Sequence, residues 1–564
     1  MNRASAFPPA STRTRAAAAR VLKFTALAAL VPWIWACTLS QNGVLPPADT
    51  FFYPTSAAMS APAGVKTIPI DDPAAQWLYV ANSNADLRFN DGTLVMVDVT
   101  HAYADRHSAD QLAIWGACPQ ADYVNPLSRS LAPLCCWDLL DSNILNCDER
   151  LYIQSDATVS IGSFAAQMVW QSYCDDPCLN YSTTKACLAD AHAGRLLIGV
   201  RGDTSLTYVD VVPTGQGSNP GPHPAFHCSD TGPGAVATPS LAECDQKVVD
   251  TSSSLSIESG DSQAPATSLP DEPYALKLDD NPQTGRGYLY VGHLVGNTST
   301  QDTGGVSLFN VSGTGLVAPG GVYPPPTFIA PFGSPFPPST AGLFGVTALN
   351  LHVPLGVAVD PMPPMPNKQL FVSSRYVPLV SAMVPFGPSI CAGDDNDDVL
   401  VPSGNTLNSN LVGTEMRGVE FIDPPSPDDY SHRAYALQRV PPDLVGFDIA
   451  VNASGAATVT PTDVLETCSS PTFLYQHDAG DGPRLYVNCF DTGEVYVFDP
   501  AGPTLLTTFS VGRGPGGMVF DVARPIAYVI DFSQNDISVV DLAPGSPTQY
   551  HLIQRLGFPT VTPR

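Results

Sequence analysis

The chain has 564 residues, 44% hydrophobic and only 14% charged, with 56 Pro, 45 Gly and a formal net charge of −27. That apolar fraction excludes a disordered chain, and the acidity excludes a partner bound by neutralising nucleic-acid phosphates. Proline at this frequency excludes long helices and long central strands, so the expected core is built from many short strands joined by loops.

The N-terminus reads as a targeting segment. Arg3, Arg13, Arg15, Arg20 and Lys23 form a basic region without an acid, and Phe24 to Trp35 is an apolar run of 12 residues. That run is too short for a stable spanning helix, and the layout is that of a secretory signal over residues 1–36. The run ends in Ile34-Trp35-Ala36-Cys37, which resembles a bacterial lipobox. Cys37 is then the expected lipidated first residue, with an ordinary cleavage site as the alternative. Residues 37–50 form a short Pro-containing tether, and 51–559 the folded body. Without residues 1–36 the chain keeps 53 acidic against 21 basic residues, net −32, which argues against electrostatic adhesion to anionic lipid.

Export and an even number of remaining cysteines favour disulfides over metal thiolates. The twelve are Cys118, Cys135, Cys136 and Cys147 in one insertion, Cys174, Cys178 and Cys187 in the next, Cys228 and Cys244 flanking one loop, Cys391, and Cys468 with Cys489 flanking a loop and a strand. Their pairing does not follow from sequence.

From residue 51 onward one sentence repeats: an inner apolar strand, an apolar strand, a short polar turn, a second apolar strand. Phe51–Met59, Trp77–Asn82 and Leu94–Val99 open it. A loop insertion, His101 to Arg150, follows, and Leu151–Ile161 is expected as the returning outer strand. Ala165–Trp170, Arg195–Val200 and Ser205–Asp210 form the second unit. Pro213 to Leu269, rich in Ser, Gly and Pro, reads as a surface loop. The third unit is Pro273–Leu278, Tyr288–Gly292 and Gly305–Asn310. The fourth is Pro354–Asp360 and Gln369–Ser373, with an irregular third strand near Pro378–Phe386. The fifth is Arg417–Asp423, Arg433–Leu437 and Leu444–Asp448. The sixth is Pro471–Tyr475 with the hairpin Arg484–Asp499. The seventh is Pro515–Asp521 with Ile526–Leu542, and Gln549–Leu556 supplies its outer strand. The equivalent second-strand positions are Tyr79, Leu197, Tyr290, Phe371, Tyr435, Tyr486 and Tyr528. Repetition of a four-strand unit at this period predicts an all-β fold, a single β-propeller of seven four-stranded blades with long disulfide-tied insertions in the N-terminal blades. Tyr152 leaves eight blades open as the alternative; the segment after it leads straight into a new inner strand, which favours seven.

Trp77-Leu-Tyr-Val-Ala-Asn82, Val511-Gly-Arg-Gly-Pro-Gly-Gly-Met-Val519 and Asp536-Ile-Ser-Val-Val-Asp541 resemble the YVTN family of β-propeller repeat proteins. With the signal and lipobox, the whole resembles an exported bacterial YVTN-type lipoprotein of the kind found in myxobacteria. The resemblance implies a propeller and an envelope address, most simply the outer membrane, with no single activity, because propellers host binding, scaffold and enzyme roles alike.

The chemistry-bearing motifs each have a plain structural reading. Gly512-Arg-Gly-Pro-Gly-Gly517 fits a dinucleotide fingerprint but precedes a strand rather than a helix, so a turn is expected. Asp394, Asn396 and Asp398 alternate as calcium ligands do, yet Val399 and Asn405 stand where the loop Gly and the bidentate Glu belong. A solvated acidic loop is therefore favoured over a Ca²⁺ site, and no other cofactor is expected. His223 and His227 have zinc spacing, but Pro222 and Pro224 prevent the helix that would align them. Arg201-Gly-Asp203 is ordinary turn chemistry. His477, Asp478 and Asp481 form a polar loop able to hold a cation or to act as acid and base. No G-x-S-x-G elbow is present. The expectation is a non-catalytic binding or scaffold protein whose loops recognise an envelope protein or a small ligand. The alternative is a propeller enzyme, lactonase-like or metal-assisted, with its site at the central channel.

Overall fold

The computed structural model describes residues 44–60, 76–100, 102, 114–118, 135–172, 194–201, 205–212, 223–227, 244, 272–281, 286–294, 305–311, 327–332, 354–359, 370–375, 380–386, 399–407, 414–422, 432–451 and 457–559. The chain divides into a small unit, residues 1–45 with 88–90, and a large one holding the rest. Every strand lies in the large unit, and its described residues contain no α-helix.

Short alternating segments bounded by Pro, Gly and Asp fold as read, into antiparallel sheets. In chain order the first blade begins with β1 (Pro54–Met59), β2 (Trp77–Asn82) and β3 (Gly92–Asp98). The insertion carries β4 (Ile114–Ala117), β5 (Cys135–Trp137) and β6 (Leu145–Cys147), and β7 (Val159–Ile161) completes the blade. Blade 2 is β8 (Ala165–Ser172), β9 (Gly194–Val200), β10 (Ser205–Val212) and β11 (Ala225–His227). Blade 3 is β12 (Pro273–Asn281), β13 (Arg286–His293), β14 (Gly305–Asn310) and β15 (Thr327–Phe332). Blade 4 is β16 (Pro354–Val359), β17 (Leu370–Ser374), β18 (Val380–Phe386) and β19 (Val399–Leu407). Blade 5 is β20 (Thr414–Phe421), β21 (His432–Val440), β22 (Asp443–Val451) and β23 (Ala457–Glu466). Blade 6 is β24 (Pro471–Asp478), β25 (Pro483–Cys489), β26 (Glu494–Asp499) and β27 (Thr504–Ser510). Blade 7 is β28 (Pro515–Phe520), β29 (Ile526–Asp531), β30 (Asp536–Asp541) and β31 (His551–Leu556).

The first strand of each blade touches the first strand of the next, and β28 touches β1, so seven sheets close into a ring around a central channel. Closure is a packing requirement. One such sheet has two apolar faces, and only radial stacking covers both. The apolar clusters accordingly sit between neighbouring blades: Leu78, Val80, Tyr528 and Ile530 between blades 1 and 7, Tyr79, Met96 and Ile198 between blades 1 and 2, Tyr435, Leu474 and Val487 between blades 5 and 6. The seven equivalent second-strand residues are at most 1% exposed. Each contributes on the order of 2–3 kcal/mol of burial.

The structure departs from the sequence expectation at two places around this ring, the outer strand of blade 1 and that of blade 2. The outer strand of blade 1 is β7 alone; Leu151 instead ends a 3₁₀ turn, Glu149–Leu151, whose N-cap Asp148 accepts from the Arg150 amide. In keeping with the seven blades the sequence favours, Tyr152 packs between blades 1 and 7, accepting at its hydroxyl from Gln554 Nε2 at 2.9 Å. The stretch expected as one long surface loop supplies β11, the outer strand of blade 2.

The insertion of blade 1 has a further destination. Its β6 pairs in parallel with β31, and β5 and β4 follow, so the seventh sheet has seven strands in the order β28-β29-β30-β31-β6-β5-β4. Strands of three and four residues cannot stand alone. They are cross-linked by Cys118–Cys136 and Cys135–Cys147, and Arg555 on β31 donates to Asp138 (2.9 Å) and Asn146 (3.0 Å) of this strap. The strap covers an edge that would otherwise present bare backbone donors and acceptors.

Candidate functional site

The residues available for function are set by an irregularity repeated in every blade. Each inner strand slips register at its start: between Pro54 and Ser56, Ala165 and Met168, Pro273 and Ala275, Pro354 and Gly356, Met416 and Gly418, Pro471 and Phe473, and Pro515 and Gly517. A bulge bends the strand and re-aims the side chain it carries. The bulge positions, Thr55, Ala166 with Gln167, Tyr274, Arg417, Thr472 and Gly516 among them, therefore ring one mouth of the channel. The residue before the bulged pair has positive φ at Tyr53 (49°), Phe164 (62°), Glu272 (54°), Glu415 (55°) and Gly514 (66°). Bulky residues in that region are uncommon and cluster at functional sites.

Backbone bonds weld this belt. Ser83 N donates to Tyr53 O (3.0 Å), Phe164 N to Ser83 O (2.6 Å), Arg201 N to Phe164 O (3.2 Å), Glu415 N to Arg375 O (2.7 Å), Phe490 N to Ser470 O (3.0 Å) and Phe532 N to Gly514 O (2.9 Å). Aligned by register, the position that follows the bulged pairing on the second strand is Ser83, Arg201, Leu294, Arg375, Arg439, Phe490 and Phe532 in blades 1 to 7, after the strand's end in all but blade 5. The mouth thus has an aromatic sector, blades 6, 7 and 1, and a basic sector centred on blades 4 and 5.

The aromatic sector encloses a pocket of about 350 Å³. Phe473, Phe490 and Phe532 wall it together with Phe164, Tyr274 and Tyr475; Thr55, Gln167 and Thr472 supply polar groups, and Arg201 stands at its edge. Phe532 lies 6.0 Å from Phe490 and 5.3 Å from Tyr53, ring centre to ring centre. Most polar groups here are already used. Thr55 donates to Ala81 O (3.3 Å), Thr472 to Asn488 O (3.1 Å), and Gln167 Oε1 accepts from Leu276 N (2.8 Å). The buried Ser83 hydroxyl has no partner. This is the make-up of a small-molecule site, an apolar wall with few oriented polar groups.

The basic sector centres on Glu415. Its carboxylate takes Arg417 Nη2 at 3.1 Å, Arg439 Nη1 at 3.6 Å and Arg375 Nε at 3.7 Å. Arg439 Nη2 also donates to Ser470 Oγ (2.8 Å), which joins this sector to blade 6. The equivalent acid in blade 3, Glu272, pairs with Arg201 at 2.7 Å. Three residues beyond Arg417, Glu420 stands on the same inner strand, and burial raises its carboxyl above the ordinary range while Lys277 opposes the shift. Tyr475, on the adjacent blade, is raised by burial, and its hydroxyl accepts from Met518 N (3.1 Å).

The sequence-predicted residues fall elsewhere. His223 Nε2 is 3.1 Å from Asp156, while His227 lies on β11 opposite Asp210, so the two do not converge. Asp478 accepts from Gly480 N and Gly482 N of its own turn, Asp481 pairs with Arg484 at 3.5 Å and accepts from Gln549, and His477 stacks on Phe520 of blade 7 with centroids 4.1 Å apart. Gly512 and Gly514 form the expected turn. A Cβ on Gly512 would lie 2.4 Å from the Asp531 carboxylate, and Gly514 needs φ +66°. Cys468 bonds Cys489, and Cys244 is disulfide-bonded. Cys37, the Asp394, Asn396 and Asp398 group, Cys174, Cys178, Cys187, Cys228 and Cys391 lie outside the described residues. Among the described residues no three His, Cys, Asp or Glu side chains cluster as a metal site would need, and no helix is long and apolar enough to cross a membrane. The arginines around Glu415 and the phenylalanine wall escaped sequence reading; the signal that could have found them is the residue type just after each second strand.

No family model and no curated protein matches the chain. Among solved structures it is similar to the β-propeller domain of Myceliophthora thermophila Cps50 (Swd1), at 6% identity over 86% of this chain and 96% of that one, TM-score 0.40. It is also similar to a candidate 6-phosphogluconolactonase from Bacteroides uniformis, at 12% identity over 66% and 84% of the two chains, TM-score 0.37. A third is a protein of unknown function from Desulfotomaculum acetoxidans, at 11% identity over 71% and 91%, TM-score 0.39. The architecture itself rests on the seven sheets and their closure.

Proposed function

We propose that this propeller is a non-catalytic binding protein that holds a small ligand in the aromatic pocket at its channel mouth. The observation that carries this reading is the pocket itself: about 350 Å³, walled by phenylalanines from several blades and rimmed by bulges that fix each side chain. We further propose that the chain is exported, lipidated at Cys37 and displayed in the cell envelope at the outer membrane, where an envelope protein is the second class of partner. The basic stretch, the 12-residue apolar run and Ile34-Trp35-Ala36-Cys37 support this address.

The test is native mass spectrometry of the mature protein purified from its host. Wild type is expected to retain a small molecule that Phe532→Ala and Phe490→Ala lose. Equal occupancy in all three proteins would sink the reading. Cys37→Ser is expected to move the protein from the membrane fraction to the soluble one; no change in partitioning would remove the lipid anchor.

A second reading has one observation in its favour. Glu420, a carboxyl raised by burial inside the channel, with Tyr475 nearby, has the character of a general acid. The chain would then be a lactonase-like hydrolase. Lactone turnover by the purified protein that Glu420→Gln abolishes would replace the binding reading with this one.

A further inference from the structure

We infer that the basic sector of the mouth is an oxyanion site, in which Arg417 and Arg439, spaced by Glu415, hold a carboxylate or phosphate group. This goes beyond the aromatic pocket and does not depend on what fills it.

Among the described residues Glu415 is the one acid within ion-pair distance of Arg417 and of Arg439, and Arg375 reaches it as well. The other acid of this turn, Asp443, accepts from the Gln438 amide at 3.2 Å and pairs with neither arginine. Three guanidiniums therefore reach one carboxylate, in a chain with 53 acids against 26 basic residues. Composition favours neutralisation, so a local positive surplus is not a by-product of it.

Burial makes the surplus costly. The Arg417 side chain is 11% exposed and its Nε is buried without a hydrogen-bond partner. A desolvated donor on a charged group costs more than a neutral one, and a second anion offsets the cost. Geometry makes the site reachable. Arg417 occupies the bulge position of blade 5, equivalent to Thr55, Tyr274 and Thr472, all of which line the pocket. Arg439 is held by Ser470 Oγ, so it is fixed before any ligand arrives. Glu415, pinned at φ 55° and by the hydrogen bond its backbone N–H donates to Arg375 O, spaces the guanidiniums rather than quenching them. Planar guanidinium forks match the paired oxygens of carboxylate and phosphate.

The experiment is isothermal titration of the full mature protein at constant ionic strength, once with inorganic phosphate and once with acetate. Saturable binding of at least one is expected, and the stronger arm tells phosphate from carboxylate. Arg417→Gln and the more exposed Arg439→Gln should each weaken it at least tenfold, while Glu415→Gln should tighten it several-fold. Arg433→Gln, which breaks pairs with Asp448 and Asp463 of the same blade, should leave it unchanged. Phe532→Ala should also leave it unchanged, which separates this site from the aromatic pocket. Absence of saturable binding of both anions, an equal loss in Arg433→Gln, or weaker binding in Glu415→Gln would overturn the inference.

Discussion

The hairpin of blade 7 makes the protein's stability depend on pH in an unusual direction. Asp531 and Asp536 face each other across β29 and β30, and both are fully buried. Ser538 donates to Asp531 Oδ2 (2.6 Å) and Gln534 to Asp536 Oδ2 (2.8 Å), while each Oδ1 has no partner. Burial is the main cause that raises both carboxyls. The charge of Asp536 raises Asp531 further, and Arg555 lowers both without cancelling the burial. Asp536 is pushed from 3.8 to about 6. Its folded-state value lies above the unfolded one, so between about pH 4 and pH 6 the native state holds the extra proton and folding weakens as pH rises. At about 1.4 kcal/mol per pH unit of displacement, ionising Asp536 costs the fold roughly 3 kcal/mol by pH 7. Asp536→Asn removes that cost. Urea unfolding followed by tryptophan fluorescence at pH 4.5 and 7.5 is the assay. The stability of Asp536→Asn relative to wild type should be about 2 kcal/mol more favourable at the higher pH. Parallel pH profiles for the two proteins would refute the reasoning.

Three further outcomes follow from packing and cross-links. Arg195 and Asp210 pair across β9 and β10 at 2.6 Å with both side chains nearly fully buried. Arg195→Met should cost about 3–5 kcal/mol by removing one member of a buried charge pair, and Arg195→Met with Asp210→Leu should regain most of it; denaturant midpoints report both. Cys468–Cys489 closes a separation of 21 residues across blades 5 and 6. Its removal by Cys→Ser at both positions should cost about 3 kcal/mol in the same assay, with no change when the protein is already reduced. Gly514→Ala places a Cβ 2.5 Å from Ser533 Oγ at φ +66°. It should cost about 1–2 kcal/mol for the backbone alone, and adding Ser533→Ala should recover only the steric remainder.

The blades were legible because period-two alternation with a terminal Asp or Asn survives even where insertions separate the strands, as between Met59 and Trp77 or Ser172 and Gly194. The strap was not legible. Strands of three or four residues such as Cys135–Trp137 have no period to read, and their partner β31 is distant in sequence. The same holds for β11, a three-residue strand inside a Pro- and Gly-rich stretch. The sequence places recognition in the loops and names the channel only for the alternative enzyme, so the candidate site was legible at most as that alternative location. Arg375, Glu415, Arg417 and Arg439 are unremarkable one by one and become a group only when the bulges set the register. His223 with His227, whose flanking prolines already argue against a shared helix face, find separate surroundings, His223 beside Asp156 and His227 on β11 opposite Asp210, and Asp478 is taken up by the amides of its own turn.

The strap also ties the order of synthesis to the order of assembly. Arg555 bonds Asn146 across 409 residues, so the contact order of this one junction nearly spans the chain. On a chain that emerges from its N-terminus, Cys118, Cys135, Cys136 and Cys147 can all be joined while six blades are still to come. The edge of β6 must then wait for the last strand made. Contacts of this separation are slow to form, and an open strand edge is a place where chains associate wrongly. A chain cut short before His551 would therefore fail first in the segment made earliest, leaving the strap unpaired beside an otherwise finished ring.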